Sequence, residues 1–196
     1  MDLKEKIIIE SLKLFSMKGF LSTSIQDILE ASGTSKGGFY NHFQSKEELF
    51  YQVLREAQKI WRERNLRGVN EAPGAVDKLR RLLANYRDRY LKDSENFPGG
   101  CLFVTLSVEL DEQLPHLARE INKGFEGFRA MLNRWLEKGK KEGSIREDVN
   151  TAAAADLIFN GMLGTSVTYG TQKSPSGLEQ SIAALMDYLE GLAPWS

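Results

Sequence analysis

At 196 residues and 41% hydrophobic side chains, the chain is long enough for one large or two small domains with a proper core, which excludes disorder over most of its length. The net charge of −1 lends no support to a nucleic-acid partner, and in residues 1–50 Lys4, Lys6, Lys13, Lys18, Lys36 and Lys46 are outnumbered by Asp2, Glu5, Glu10, Asp27, Glu30, Glu47 and Glu48. No apolar run approaches the roughly 20 residues that span a bilayer, no signal-peptide pattern follows Met1, and the single cysteine, Cys101, excludes an internal disulfide, so a soluble, cytoplasmic protein is expected, and five prolines with a helix-friendly composition point to an all-α fold.

The first expected helix runs from Leu3 to Lys18, with Ile8, Leu12 and Phe15 on one face beside Ile7, Ser11 and Leu14. Gly19 suits a left-handed stop, and Phe20 can fold back onto the helix end. Thr23-Ser24-Ile25-Gln26 reads as a capping box opening a second, short helix that ends at Ser32-Gly33. A tight turn through Gly33 then leads into a third helix within residues 34–43. Phe39 and Phe43 anchor it inward, while Lys36, Gly37, Tyr40, Asn41 and His42 face outward. Two short helices joined in this way are a helix-turn-helix, whose second helix enters the major groove. Ser45-Lys46-Glu47-Glu48 is a second capping box, opening a helix to about Arg67, roughly 33 Å long at about 1.5 Å per residue.

Beyond a break at residues 68–74, a helix over 75–92 turns Val76, Leu79, Leu82, Leu83, Tyr86 and Tyr90 inward. The loop Asn96-Phe97-Pro98-Gly99-Gly100 precedes a short apolar helix from Cys101 to Glu109. A long helix from His116 to about Lys141 carries Phe125, Phe128, Met131, Leu132, Trp135 and Leu136, and two more helices cover about 150–171 and 176–190. In the last, Leu178, Ile182, Leu185 and Leu189 form a narrow seam suited to packing on another helix, either inside the chain or across a dimer. Gly161 and Gly164, in the helix before it, would let a partner backbone come close. About nine helices result.

Residues 7–54 resemble the DNA-binding domain of the TetR family of bacterial transcriptional regulators. The motifs that carry the resemblance are Gly19-Phe20, then Thr23-Ser24-Ile25-Gln26-Asp27-Ile28, then Ala31-Ser32-Gly33-Thr34-Ser35-Lys36-Gly37-Gly38-Phe39-Tyr40-Asn41-His42-Phe43, then Ser45-Lys46-Glu47-Glu48-Leu49. The resemblance implies a helix-turn-helix domain over residues 1–46 and an effector-binding and dimerisation domain over 47–196. It also implies a homodimer whose last two helices pair across a two-fold axis through Gly161, Gly164, Leu178, Ile182, Leu185 and Leu189, bound to double-stranded operator DNA with a palindromic sequence. On the DNA side, Thr23, Ser24, Tyr40, His42 and Lys46 would hold phosphates, and Ser35, Lys36, Gly37, Gly38 and Asn41 would lie nearest the bases.

The same resemblance implies a cavity for a small apolar, aromatic or electrophilic effector. Trp61, Tyr86, Tyr90, Phe103, Phe128 and Trp135 either line it or fill the core, and Asn160 and Thr168 are candidates to orient the ligand. Gly100-Cys101-Leu102 followed by Leu106-Ser107-Val108-Glu109-Leu110 resembles a subgroup of these repressors, some of which sense electrophiles or oxidants through a cysteine. Cys101 is accordingly read as a reactive thiol or as a small buried residue. His42 and His116 fall on different elements, and a single cysteine leaves no metal-ligand spacing, so no metal, cofactor or catalytic residue is expected. Glu109, Asp111 and Glu112 read as a solvated helix end. The resulting expectation is a regulator, not an enzyme, and most simply a repressor. The alternative is a ligand or redox sensor acting through protein partners with an idle helix-turn-helix.

Overall fold

The computed structural model describes residues 1–194, so the last two residues of the expected second domain lie outside the described residues. Among the described residues every regular element is helical: α1 (Leu3–Lys18), α2 (Ile25–Ser32), α3 (Lys36–Tyr40), α4 (Lys46–Asn65), α5 (Ala75–Asn85), α6 (Leu102–Leu110), α7 (Pro115–Lys141), α8 (Thr151–Gln172) and α9 (Pro175–Glu190). A π-helical turn, Tyr86–Tyr90, continues α5, so the helix expected over 75–92 changes its hydrogen-bond register in its last third.

The chain forms two compact units. One comprises residues 1–61 with 93–121, the other residues 62–92 with 122–196. This division departs from the expected boundary at residue 46. The first unit includes the whole of α6, because Leu102, Leu106 and Leu110 give its core one fully buried apolar face and α6 packs on α1. Phe20 sits between Phe15 and Phe50, edge to face with each at a centroid distance of 5.3 Å. Ile7, Leu12, Ile28, Phe39 and Phe43 complete the core beneath the short helices.

Local signals explain where these helices stop. Gly33 ends α2 in the left-handed region at φ 63° and ψ 35°, which a residue with a Cβ adopts at a cost. Asp2 and Glu5 form a capping box at α1. The box at α2 lies one residue later than the expected Thr23 frame: Ser24 is the N-cap, its Oγ accepting from Asp27 N, and Asp27 is its reciprocal acid. At α4 the Ser45 hydroxyl accepts from Glu48 N at 3.1 Å, but the Glu48 carboxylate reaches Gln44 N instead of closing on Ser45.

In the second unit α9 packs on α5 and α8. Leu79, Leu82, Leu83, Leu132, Leu136, Ile158, Met162, Leu178, Ile182 and Leu189 are all buried there. Asn85 closes the end of α4 by donating to the carbonyl of Asn65 at 2.9 Å, an acceptor that a helix C-terminus leaves without an intrahelical partner, and to that of Arg67 just beyond it at 2.7 Å. Arg87 ties the π-helical turn to Glu179 of α9 at 2.8 Å, an exposed pair of small worth.

In the first unit Gly99 lies against the backbone of α1, where its N–H donates to Ser16 Oγ at 3.3 Å and a Cβ would overlap the Ser16 carbonyl and Met17 Cα. Backbone atoms cannot swing aside as a side-chain tip can. Gly99→Ala should therefore cost about 2 kcal/mol and lower the melting temperature by about 4–8 °C, read by thermal unfolding.

Candidate nucleic-acid interface

The surface over α2 and α3 is built on a bent backbone. Leu29 O accepts from Thr34 N at 3.0 Å across the Gly33 turn, and Ser35 caps α3 by accepting from Gly38 N at 3.1 Å. Phe39 and Phe43 are buried, with ring centroids 5.6 Å apart, and they roll the helix so that Ser35, Lys36, Gly37, Tyr40, Asn41 and His42 are exposed together. Gly38 is half-buried because a Cβ there would run into Thr34 Oγ1. Gly37 meets only ordinary contact, with Ser35 Oγ 3.8 Å from the position of a Cβ. The backbone at Gly37 is thus open to close approach from outside.

Four of the ten expected DNA contacts have side chains engaged within the unit, Ser35 through the α3 cap. Thr23 is fully buried, and its hydroxyl donates to Gly19 O at 2.6 Å. Ser24 is exposed, but its hydroxyl donates to Asp27 Oδ2 at 2.7 Å. The Lys46 ammonium donates to Phe20 O at 2.8 Å and Thr23 O at 2.7 Å and lies 4.3 Å from the Phe20 ring centroid. Partial burial pulls Lys46 below the usual lysine range, with the nearby Glu109 and Asp27 carboxylates opposing that shift. Of the other six, Lys36, Gly37, Tyr40, Asn41 and His42 are exposed and Gly38 is half-buried. Sequence reasoning passed over Glu109 of α6, which accepts from Phe20 N at 2.7 Å and Leu21 N at 2.9 Å. No local pattern could reveal a partner almost 90 residues away.

The residues expected to bind an effector fall in both units. Trp61, Cys101 and Phe103 are half-buried in the first. In the second, Tyr86 and Tyr90 are buried and stacked at 5.6 Å, and the Tyr86 hydroxyl donates to Met162 O at 3.0 Å. Phe128 and Trp135 are half-buried there, Phe128 lying edge to face on Phe159 at 5.8 Å. Asn160 and Thr168 are exposed on α8, with the Thr168 hydroxyl bonded back to Gly164 O at 3.0 Å.

The expected dimer seam is divided. Leu178, Ile182, Leu185 and Leu189 are buried within the protomer, and Gly161 faces Leu185, whose Cδ2 would lie 2.5 Å from an added Cβ. Within one chain these five serve the α8–α9 and α5–α9 contacts, which cover the apolar stripe of α9. Gly164 is exposed, with nothing within 4 Å of an added Cβ. Among the described residues no group of three histidine, cysteine, aspartate or glutamate side chains is placed to hold a metal ion, and no helix is long and apolar enough to cross a membrane.

A capped two-helix unit with its second helix turned outward, followed by a bundle of longer helices, defines a helix-turn-helix regulator. The pattern described as "Bacterial regulatory proteins, tetR family" matches residues 7–53, and that described as "Tetracyclin repressor-like, C-terminal domain" matches residues 75–185. The chain belongs to the TetR family of DNA-binding transcriptional regulators. It is 27% identical over 187 residues to the HTH-type transcriptional repressor DhaR of Mycobacterium sp. (strain GP1), covering 95% of this chain and 91% of that one. A TetR transcriptional regulator from Chloroflexus aurantiacus J-10-FL superposes with a TM-score of 0.91 at 27% identity, over 99% of this chain and 97% of that one. The fold is shared also with a cysteine mutant of the regulator CifR, complexed with 26-bp double-strand operator DNA, at a TM-score of 0.82, 20% identity and coverage of 97% and 96%.

The α2 cap carries its own pH signature. Hydrogen bonds from the Ser24 side chain, then from Lys18 at 2.9 Å and the Ser24 backbone, hold the Asp27 carboxyl down at about 2. Its folded value lies below its unfolded one, so the stability it contributes is present above about pH 4 and is lost as pH falls toward about 2. Asp27→Asn should melt a few degrees below wild type at neutral pH, with the gap narrowing below about pH 4 in a thermal-unfolding series.

Proposed function

We propose that this protein is a homodimeric repressor that binds a palindromic operator through two helix-turn-helix units and is released by a small-molecule or thiol-reactive effector. The observation that carries the reading is the outer face of α3, where Lys36, Tyr40, Asn41 and His42 are exposed beside the accessible backbone of Gly37 while Phe39 and Phe43 hold the helix from beneath. Arginine is absent from residues 1–54, so contacts come from hydroxyls, amides, a few lysines and the backbone. Such a surface reads sequence partly through the shape of the duplex. The relative DhaR, named a transcriptional repressor, supports the sign of regulation, and the CifR complex supports an operator as the partner.

A palindromic site calls for two recognition helices about 34–36 Å apart, and hence for a dimer. With the seam of α9 buried in the protomer, the surface that supports pairing is the opposite side of α8 and α9. Leu157 and Val167 are 50% and 48% exposed there, beside Asn160, Gly164 and Thr168 of α8 and Ala183 and Ala184 of α9. An effector that prefers a dimer whose recognition helices miss successive major grooves lowers operator affinity by the size of that preference. The ring cluster of half-buried Phe125 and Phe128 on the buried Phe159 supports an apolar or aromatic ligand, and the half-buried Cys101 supports an electrophile.

The purified protein should retard DNA from upstream of its own gene in a gel shift at moderate salt, and Tyr40→Ala should weaken that binding by about tenfold. Failure to retard any such fragment would sink the proposal. Leu157→Glu should convert the dimer to a folded monomer in sedimentation and lower operator affinity by more than about tenfold. A dimer that persists in this variant would place the interface elsewhere.

A further inference from the structure

We propose that Glu109 is a positioning residue for operator binding: from α6, through the backbone of the α1–α2 turn, it sets where the N-terminus of α2 lies. The inference rests on the DNA-binding reading above. It starts from an account of the polar groups in the turn between Gly19 and Ser24. Gly19 N donates back to Phe15 O at 3.0 Å, Thr23 N to Phe20 O at 3.3 Å, and Thr23 Oγ1 to Gly19 O at 2.6 Å. Phe20 N and Leu21 N have a single acceptor group between them, the Glu109 carboxylate, one oxygen to each at 2.7 and 2.9 Å.

The turn is held from its other side by Lys46, which takes the Phe20 and Thr23 carbonyls. An anion from α6 therefore takes two donors of one turn, and a cation from α4 takes two of its acceptors. The close approach is written into the partner as well: Gly19 has φ +80°, and any Cβ there would overlap the Glu109 carboxylate. Ser24, the N-cap of α2, follows Thr23 directly, and the Gly33 turn passes the position of α2 on to α3. Without the carboxylate, the amide of the buried Phe20 loses its acceptor, and the turn must shift to find another. That shift would displace α2 although Glu109 itself takes no part in the outer face.

Glu109→Gln, which keeps the shape but offers one acceptor oxygen and sets an NH2 group against the second amide, tests the role in the full-length protein. The expected result is an operator Kd weakened about tenfold, a slope of log Kd against log salt equal to that of wild type because no phosphate contact is removed, and faster amide exchange at Phe20 and Leu21. The melting temperature should stay within about 4 °C of wild type. Glu109→Asp, which retains the carboxylate, should recover part of the affinity. Wild-type operator affinity in Glu109→Gln despite lost amide protection would overturn the inference while leaving the functional reading intact. So would a parallel collapse of melting temperature and affinity in both variants, which would mark a folding role. A wild-type protein that binds no operator would overturn both.

Discussion

A chain that reverses direction between two buried helices must find partners for peptide groups that water cannot reach, and in the first unit this constraint falls on five residues. The Gly19–Thr23 turn pushes Phe20 down between Phe15 and Phe50, which takes its peptide out of bulk solvent. The local backbone satisfies some of its groups, but the Phe20 and Leu21 amides and the Phe20 and Thr23 carbonyls are met by Glu109 and Lys46. The turn is thus the joint at which α1, α2, α4 and α6 meet. Lys46 serves it twice, since its ammonium also lies against the Phe20 ring. A lysine that suggests a phosphate ligand in the sequence also holds two carbonyls of this turn.

How much of this was legible in the sequence depended on how far apart the interacting residues lie along the chain. Gly33, Phe39 and Phe43 announced the short helices because their signals, a left-handed stop and an i, i+4 pair, are complete within a few residues. The α2 capping box was legible as a motif but not in frame, since Thr23 and Ser24 are both competent caps and the choice is made by Gly19 O, which takes the Thr23 hydroxyl. Glu109 read as a solvated helix end because nothing near it in sequence tells of two amide donors from another element.

The last helices show a different limit. The spacing of Leu178, Ile182, Leu185 and Leu189 correctly marks a buried face, but periodicity says that a stripe is covered and not what covers it. The structure covers it with α5 and α8 of the same chain. The outward side of α8 is less regular, with Leu157 and Val167 set among alanines, glycines and threonines, and such a mixture carries no strong helical signature. A surface that is apolar in places and small in others is one against which helices can approach closely, and it was visible once the stronger stripe had been assigned. Aromatic residues are core residues first, and Tyr86 and Tyr90 are buried in that role, stacked on each other.

The acidic balance of the first fifty residues acquires a physical meaning from these placements. Lys18 is paired with Asp27, Lys13 with Glu10, and Lys46 is held by two carbonyls, so half of the six lysines in that segment already have partners inside the unit. On the proposed reading, counterion release, which scales with the number of phosphates neutralised, is a small reserve, and binding energy comes from short contacts made at the right distance. Contacts of that kind are steeply sensitive to geometry, whereas a diffuse positive field tolerates misplacement. A recognition helix of five residues carrying two adjacent glycines cannot enforce its own geometry, since it has neither the length nor the propensity to be rigid alone. Rigidity must be supplied from beneath by Phe39 and Phe43 and from behind by the turn that sets α2. On the proposed reading, the sparse charge of the outer face and the dense hydrogen bonding of the Gly19–Thr23 turn belong together, since contacts poor in charge depend on the placement that the turn gives α2.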